Sequence, residues 1–265
     1  MDAFNVNSVR WILGSLAALS LVACGGDDKS TEASTSVATE EDYDDVSQSL
    51  GVAVASSSNG GEVGSFSDAV AIAVGLPPLD LQVKASGEFA GSRAGLSYDY
   101  SVTCRDAQDQ SLDACGVATD DASVRVSWSG DLALPNFSAR VQRNGQWELA
   151  NLKSGTAEFN GTSDFAFDAQ FQSSFRNVAR HWNLDYRADY AAVRVQILPR
   201  QIVGGSIRYA LTADRQASSD GGQSAARFNM TADISFAAGG ATLVLDGSHA
   251  YAVDLTTGAV RRQAR

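Results

Sequence analysis

The ten residues HWNLDYRADY, 181–190, decide the fold. Apolar Trp182, Leu184, Tyr186, Ala188 and Tyr190 alternate with polar His181, Asn183, Asp185, Arg187 and Asp189. Successive side chains of an extended strand point to opposite faces, so a period of two gives the chain one buried side and one wet side. The same period runs outward from this stretch in both directions. Toward the N-terminus it recurs in Phe165, Phe167, Ala169 and Phe171, in Phe137, Ala139 and Val141, and in Val124, Val126 and Trp128. Before these come Leu96, Tyr98, Tyr100, Val102 and Cys104, and Leu81, Val83 and Ala85. Toward the C-terminus it recurs in Val193, Val195 and Ile197, in Ile207, Tyr209 and Leu211, and in Phe228, Met230, Ala232, Ile234 and Phe236. Leu243 with Leu245, then Tyr251, Val253 and Leu255, close the series. Such alternation belongs to antiparallel sheets with one solvated face.

The connectors predict hairpins. Asn144-Gly145, Asn160-Gly161, Asp220-Gly221-Gly222, Gly239-Gly240 and Asp246-Gly247 are dipeptides and tripeptides that accept positive φ, and Thr256-Thr257-Gly258 adds one more turn before a last segment at Ala259–Arg262. The spacing predicts a meander. About a dozen strands would make a flat sheet roughly 58 Å wide at ~4.8 Å per strand. Two helices roughly 10 Å in diameter would cover about a third of one face. The remaining apolar side, rich in Phe, Trp and Tyr, must roll up to leave water, as a sandwich with a sealed core or as a closed or half-closed barrel with room for an apolar cavity. The expected fold is therefore mainly β: a curled antiparallel meander, residues 79–265, with one or two short N-terminal helices. A membrane-spanning barrel does not fit, because it needs an apolar band and aromatic girdles facing lipid and an aromatic final residue where this chain has Arg265.

Before the strands the period changes. Tyr43, Val46, Leu50 and Val54 recur at three- and four-residue steps and predict an amphipathic helix over Glu40–Ser56, with the acidic Glu40-Glu41-Asp42 suited to its N-terminal dipole. A second helix is expected over Ser65–Val74, capped by Ser67 or Ser65 and ended by Gly75 and Pro77-Pro78, which makes 40–78 a short helical segment. Residues 24–39 are poor in apolar residues and are expected to form a disordered acidic tether.

Trp11–Ala23 (WILGSLAALSLVA) has the length of a signal-peptide apolar core and is too short to span a bilayer. It ends in Leu21-Val22-Ala23-Cys24, which resembles the lipobox of bacterial lipoproteins. That resemblance covers only the first two dozen residues. It implies cleavage after Ala23, a diacylglycerol thioether on Cys24 and acylation of the freed amine, and several acyl chains together hold a protein firmly on a membrane. Gly25, rather than Asp, follows the cysteine, which by the same resemblance favours the outer membrane; Asp27-Asp28 leave open whether the periplasmic face or the cell surface is meant.

The net charge is −11, and Asp27–Leu50 alone carries eight acids and one Lys, so the acidity is expected to be a property of the tether. An acidic chain without a basic patch argues against nucleic acid, and Arg261, Arg262 and Arg265 read as a solvated tail. Cys104 and Cys115 are the cysteines left after lipidation. In an oxidising envelope compartment they are expected to form a disulfide, with free thiols or half of a metal site as the alternatives; no His or further Cys lies nearby to complete a metal set.

No nucleophile elbow, zinc-protease helix, phosphate loop or dinucleotide fingerprint occurs. His181 and His249 are the two histidines; His181 falls on the polar face of its strand, where a proton-transfer stripe and a plain solvated surface look alike, and the solvated surface is the expectation. Asp106, Asp109 and Asp113 offer three carboxylates between the cysteines, but their spacing misses the calcium-loop pattern. The expectation is a non-catalytic, lipid-anchored envelope protein with a structural or binding role, without cofactor or metal, whose partners are the membrane and an envelope protein. The alternative is a carrier or sensor that holds an apolar ligand in a half-barrel cavity.

Overall fold

The computed structural model describes residues 36–55, 61–93, 95–134, 137–172, 179–219, 222–238 and 240–264. Among these residues two helices precede the strands, α1 (Glu40–Val54) and α2 (Glu62–Ala73). Twelve strands follow: β1 (Leu81–Ala85), β2 (Glu88–Arg93), β3 (Leu96–Arg105), β4 (Asp121–Leu134), β5 (Phe137–Ala150), β6 (Thr156–Gln172), β7 (Ala179–Gln196), β8 (Ile202–Ser219), β9 (Gly222–Ala237), β10 (Gly240–Leu245), β11 (His249–Val253) and β12 (Val260–Arg262). They form one antiparallel sheet in strict chain order, curled but not closed, so the half-barrel is realised and the sandwich is not.

The alternation works as physics requires. Along β3 the burial changes at every residue, with Leu96, Tyr98, Tyr100, Val102 and Cys104 inside. Along β7, Trp182, Leu184, Tyr186, Ala188 and Tyr190 are buried, and each sits opposite an inward residue of β6 or β8. The inner face closes on the helices. Val46, Leu50 and Val54 of α1 and Phe66, Val70 and Ile72 of α2 are all within 1% of complete burial. Phe66 packs its ring against Trp147, Phe159 and Tyr190 at centroid distances of 5.1, 4.8 and 5.6 Å.

Several boundaries differ from the sequence reading, each for a local reason. Asn144-Gly145 and Asn160-Gly161 are not turns; they lie inside β5 and β6, which pair without interruption from Phe137↔Phe171 to Ala150↔Glu158. The expected strand at Val193–Ile197 is the end of β7, displaced by an irregularity in register between Ala191 and Arg194. Long strands therefore replace pairs of short ones. Helix α1 starts at Glu40 as expected, capped by Thr39 in a capping box with Asp42, but it ends at Val54; Ser56 lies outside the described residues. Helix α2 begins at Glu62, three residues before the expected Ser65, because Gly61 provides the extended cap and Glu62 is needed in the core. Ser36, in the expected tether, donates its backbone N–H to Arg227 O at 3.0 Å; residues 24–35 lie outside the described residues.

The acidity is not a tether property alone. Five of the eight acids between Asp27 and Leu50 lie on α1 and meet cations of the sheet. Arg180 takes Glu41 and Asp45, Arg215 takes Asp42, and Arg262 takes Glu40 at 2.7 Å and Asp44 at 2.8 Å. Arg262 is thus a docking residue of β12 and not part of a solvated tail. Opposite charges placed on helix and sheet fix the rotation of α1 on an apolar surface that is otherwise indifferent to it.

Helix α1 approaches the β11–β12 turn closely enough to exclude a side chain. A Cβ on Gly51 would stand 2.5 Å from Gly258 O and 2.6 Å from Val260 Cγ1. In an open helix, Gly→Ala stabilises by about 0.5–1 kcal/mol. Here the sign reverses: Gly51→Ala is expected to lower stability by about 1–3 kcal/mol in urea unfolding, as overpacking does. A neutral or stabilised variant would show that α1 does not seat on this turn.

Candidate functional site

The inner face carries an ionic cluster under the N-terminus of α2. Alternation along β5 turns Val141, Arg143, Trp147 and Leu149 inward, and Arg143 is completely buried. Its guanidinium pairs with Glu62, also buried, and donates to Tyr190 Oη at 2.8 Å and to Ser65 Oγ at 3.4 Å. Tyr190 Oη donates to the Glu62 carboxylate at 2.7 Å and lies 2.6 Å from Ser163 Oγ. The Arg143 Cζ sits 4.9 Å from the Trp147 ring centroid and 5.7 Å from that of Trp128, so the charge is held between two ring faces. Burial is the largest influence on Glu62 and pushes its carboxyl up, while Arg143 and Tyr190 pull it back. Burial is the largest single influence on Arg143 and works against its charge, but Glu62, Tyr190 and Tyr186 together outweigh it and hold the guanidinium above its ordinary value. A second polar anchor lies further along α2, where Asp68 takes Arg93 and the Tyr100 hydroxyl, each at 3.2 Å. Both clusters join helix to sheet.

The sequence-derived candidates are dispersed. Cys104 and Cys115 form the disulfide, with Cα atoms 5.4 Å apart. Cys24 lies outside the described residues. Asp106 accepts backbone N–H groups of Gln108 and Gln110, and Asp109 pairs with Arg105. Among the described residues no three His, Cys, Asp or Glu side chains are grouped to hold a metal. His181 stands on the outer face with Nε2 2.7 Å from Asp168 Oδ1.

His249 lies in a more suggestive row. Ser248 Oγ is 3.0 Å from His249 Nδ1, and His249 Nε2 is 3.0 Å from Glu40 Oε1, a serine–histidine–acid row with the two ring nitrogens exchanged relative to a hydrolase triad. Its surroundings are those of a docking contact. Glu40 is shared with Arg262, its carboxyl held below the usual range by the His249 hydrogen bond and by Arg262. The imidazole lies flat against Tyr43, centroids 3.7 Å apart, and Tyr43 Oη donates to Asp246. The row fastens α1 to β11 and to the turn before it.

The outer face carries an open trough of about 520 Å³ across β1–β6. Its centre follows the register of the sheet: Asp99 opposes Ser127, Ser127 opposes Asn144, and Asn144 opposes Asp164. One row further along, Ser101, Arg125, Gln146 and Thr162 are likewise consecutive partners. Hollows of about 250 and 320 Å³ share walls with it at Arg125 and Gln146 and at Asn144 and Asp164. The sheet bends here because β6 bulges between Phe159 and Gly161, whose φ of +149° and whose missing Cβ, 2.1 Å from Gln146 O, admit glycine alone. Asn144 was read in the sequence as part of a turn, and the other polar wall residues did not stand out, since each is one more polar residue on a wet face.

Among the described residues no helix is long and apolar enough to cross a membrane. No protein-family model, curated protein or solved structure matches the chain.

The ionic cluster sets a stability test. Removing one partner of a buried pair strands the other, at roughly 3–5 kcal/mol, whereas replacing both with apolar residues of similar size is often nearly neutral. Glu62→Leu and Arg143→Met are each expected to cost about 3–5 kcal/mol in urea unfolding, and the double variant less than either. Additive losses would mean that the two side chains do not act as a pair.

Proposed function

We propose that the protein is a lipid-tethered binding protein of the bacterial cell envelope, without catalytic chemistry of its own, and that it binds through its outer surface. The observation that carries this reading is the occupancy of the inner face. Phe66, Trp147, Phe159 and Tyr190 interlock there, and Arg143 and Glu62 use the polar capacity of the site on each other. An interior spent on holding the fold leaves the polar outer side for recognition. The lipobox-like Leu21-Val22-Ala23-Cys24 supplies the membrane attachment, and Gly25 supports placement at the outer membrane.

A second reading, a carrier of an amphiphile, draws support from one observation. The indole N–H groups of Trp128, Trp147 and Trp182 and the Tyr209 hydroxyl are buried on the inner face without a hydrogen-bond partner among the described residues. Buried donors ordinarily have acceptors, and an amphiphile with a carbonyl or carboxylate would supply them. Such a ligand would enter only after α1 and α2 leave the sheet, against ion pairs at Arg143, Arg93, Arg180 and Arg215. The first reading requires no such rearrangement.

The anchor is tested by metabolic labelling with radioactive palmitate in a bacterial host. The full-length protein is expected to take up label and to sediment with membranes, and Cys24→Ser is expected to lose both properties. An unlabelled wild type, or a labelled Cys24→Ser variant, would overturn the attachment.

A further inference from the structure

The outer trough gathers polar side chains that the sheet itself does not use. In several other places outward polar side chains pair across strands: Arg208 with Asp233 at 2.8 Å, Arg227 with Asp214 at 3.1 Å, Thr212 with Asn229 at 2.9 Å and Ser123 with Glu148 at 2.7 Å. In the trough, Arg125, Asn144, Gln146, Thr162 and Asp164 come from three adjacent strands, β4–β6, and make no side-chain hydrogen bond or ion pair with any described residue. They offer a guanidinium, two amides, a hydroxyl and a carboxylate, so donors and acceptors are both present and interspersed.

The charge of the walls narrows the class of ligand. Lys84 and Arg125 stand against Glu88, Asp99 and Asp164, and Lys84 is already paired with Asp99 at 2.6 Å. Near-neutral walls do not attract a polyanion, which needs clustered cations, nor a polycation. The central residues point away from the apolar core and present no large apolar side chain to a ligand, so an apolar molecule gains little there. Six strands, with five spacings of ~4.8 Å, give the trough a length of roughly 24 Å, and it adjoins the two smaller hollows along β3–β6. An extended, uncharged, densely hydroxylated chain fits all three conditions.

We propose that this trough binds a neutral glycan chain. Asn144 and Gln146 would give and take hydrogen bonds with vicinal hydroxyl or N-acetyl groups, Arg125 would donate to ring and hydroxyl oxygens, and Asp164 would accept from hydroxyls. Hydrogen bonds that replace water contribute modestly one by one, so recognition rests on several sugar units at once. Display of many copies on a membrane would add avidity. The assignment rests on the binding role proposed above.

The test uses the mature chain with hexasaccharides of β-1,4-linked N-acetylglucosamine and of β-1,4-linked glucose, with dextran sulfate as the polyanion, followed by titration calorimetry and by amide shifts in NMR. At least one neutral hexasaccharide is expected to bind at millimolar concentration or below. Asn144→Ala, Gln146→Ala and Arg125→Ala are each expected to weaken it about fivefold or more with unchanged melting temperature, while Thr212→Ala, elsewhere on the same face, leaves it intact. No binding of either neutral probe at millimolar concentration would overturn the proposal. So would binding indifferent to the three trough variants, or a preference for dextran sulfate. Palmitate labelling is unaffected by any of these outcomes, so failure of the glycan site and failure of the anchor are told apart.

Discussion

A ribbon of twelve strands with one apolar side has more surface to hide than two short helices can cover if it stays flat. That constraint governs the structure. Curling reduces the exposed area of the inner face until α1 and α2 suffice to fill it, and each strand contributes alternate residues to the closure. The hydrophobic effect is non-directional, however. It requires that the face be buried but does not specify which helix lies where, or how it is turned.

Charge supplies the missing direction. Every strong cation on the inner side or rim of the sheet for which a partner is described meets an acid of a helix or of the segment leading out of it. Arg143 meets Glu62, Arg93 meets Asp68 and Asp80, and Arg180, Arg215 and Arg262 meet α1. The exposed Arg262 pairs contribute little each, whereas the largely buried Arg180–Asp45 and Arg215–Asp42 pairs and the fully buried Arg143–Glu62 pair carry desolvation costs. Their combined effect is orientation: Glu41 and Asp45 meet Arg180, Asp42 meets Arg215, and Glu40 and Asp44 meet Arg262, so α1 is held to three cations of the sheet at once. The outer face is free of that constraint. Some of its polar residues pair across strands, and in the trough Arg125, Asn144, Gln146, Thr162 and Asp164 have no side-chain partner among the described residues.

Much of the fold was legible because period-two alternation is a local signal that burial enforces along the whole strand. Leu96–Cys104 and Trp182–Tyr190 could hardly be read otherwise. The errors arose where one local signal has two physical meanings. Asn-Gly suits a tight turn, but Gly145 and Gly161 serve instead to let neighbouring atoms approach within long strands. Arg143 was legible in principle, since Val141, Arg143, Gly145, Trp147 and Leu149 share one parity; taking Asn144-Gly145 as a turn ended the strand too early to reveal a charge on the inner side. The acids of α1 looked like tether because their Arg partners lie 135 or more residues away in sequence. The trough was illegible, since only the register sets its five residues side by side.

The central claim is that α1 and α2 are part of the folded core and not a cover that lifts from it. Native-state hydrogen exchange read by mass spectrometry across a urea series tests this most directly. The account predicts that amides of α2 open together with those of β5 and β6, at the same free energy and with the same urea dependence, because Phe66, Glu62 and Asp68 unite helix and sheet. Exchange of both helices at a distinctly lower free energy, while β5 and β6 stay protected, would contradict it and favour a sheet that opens to receive a ligand.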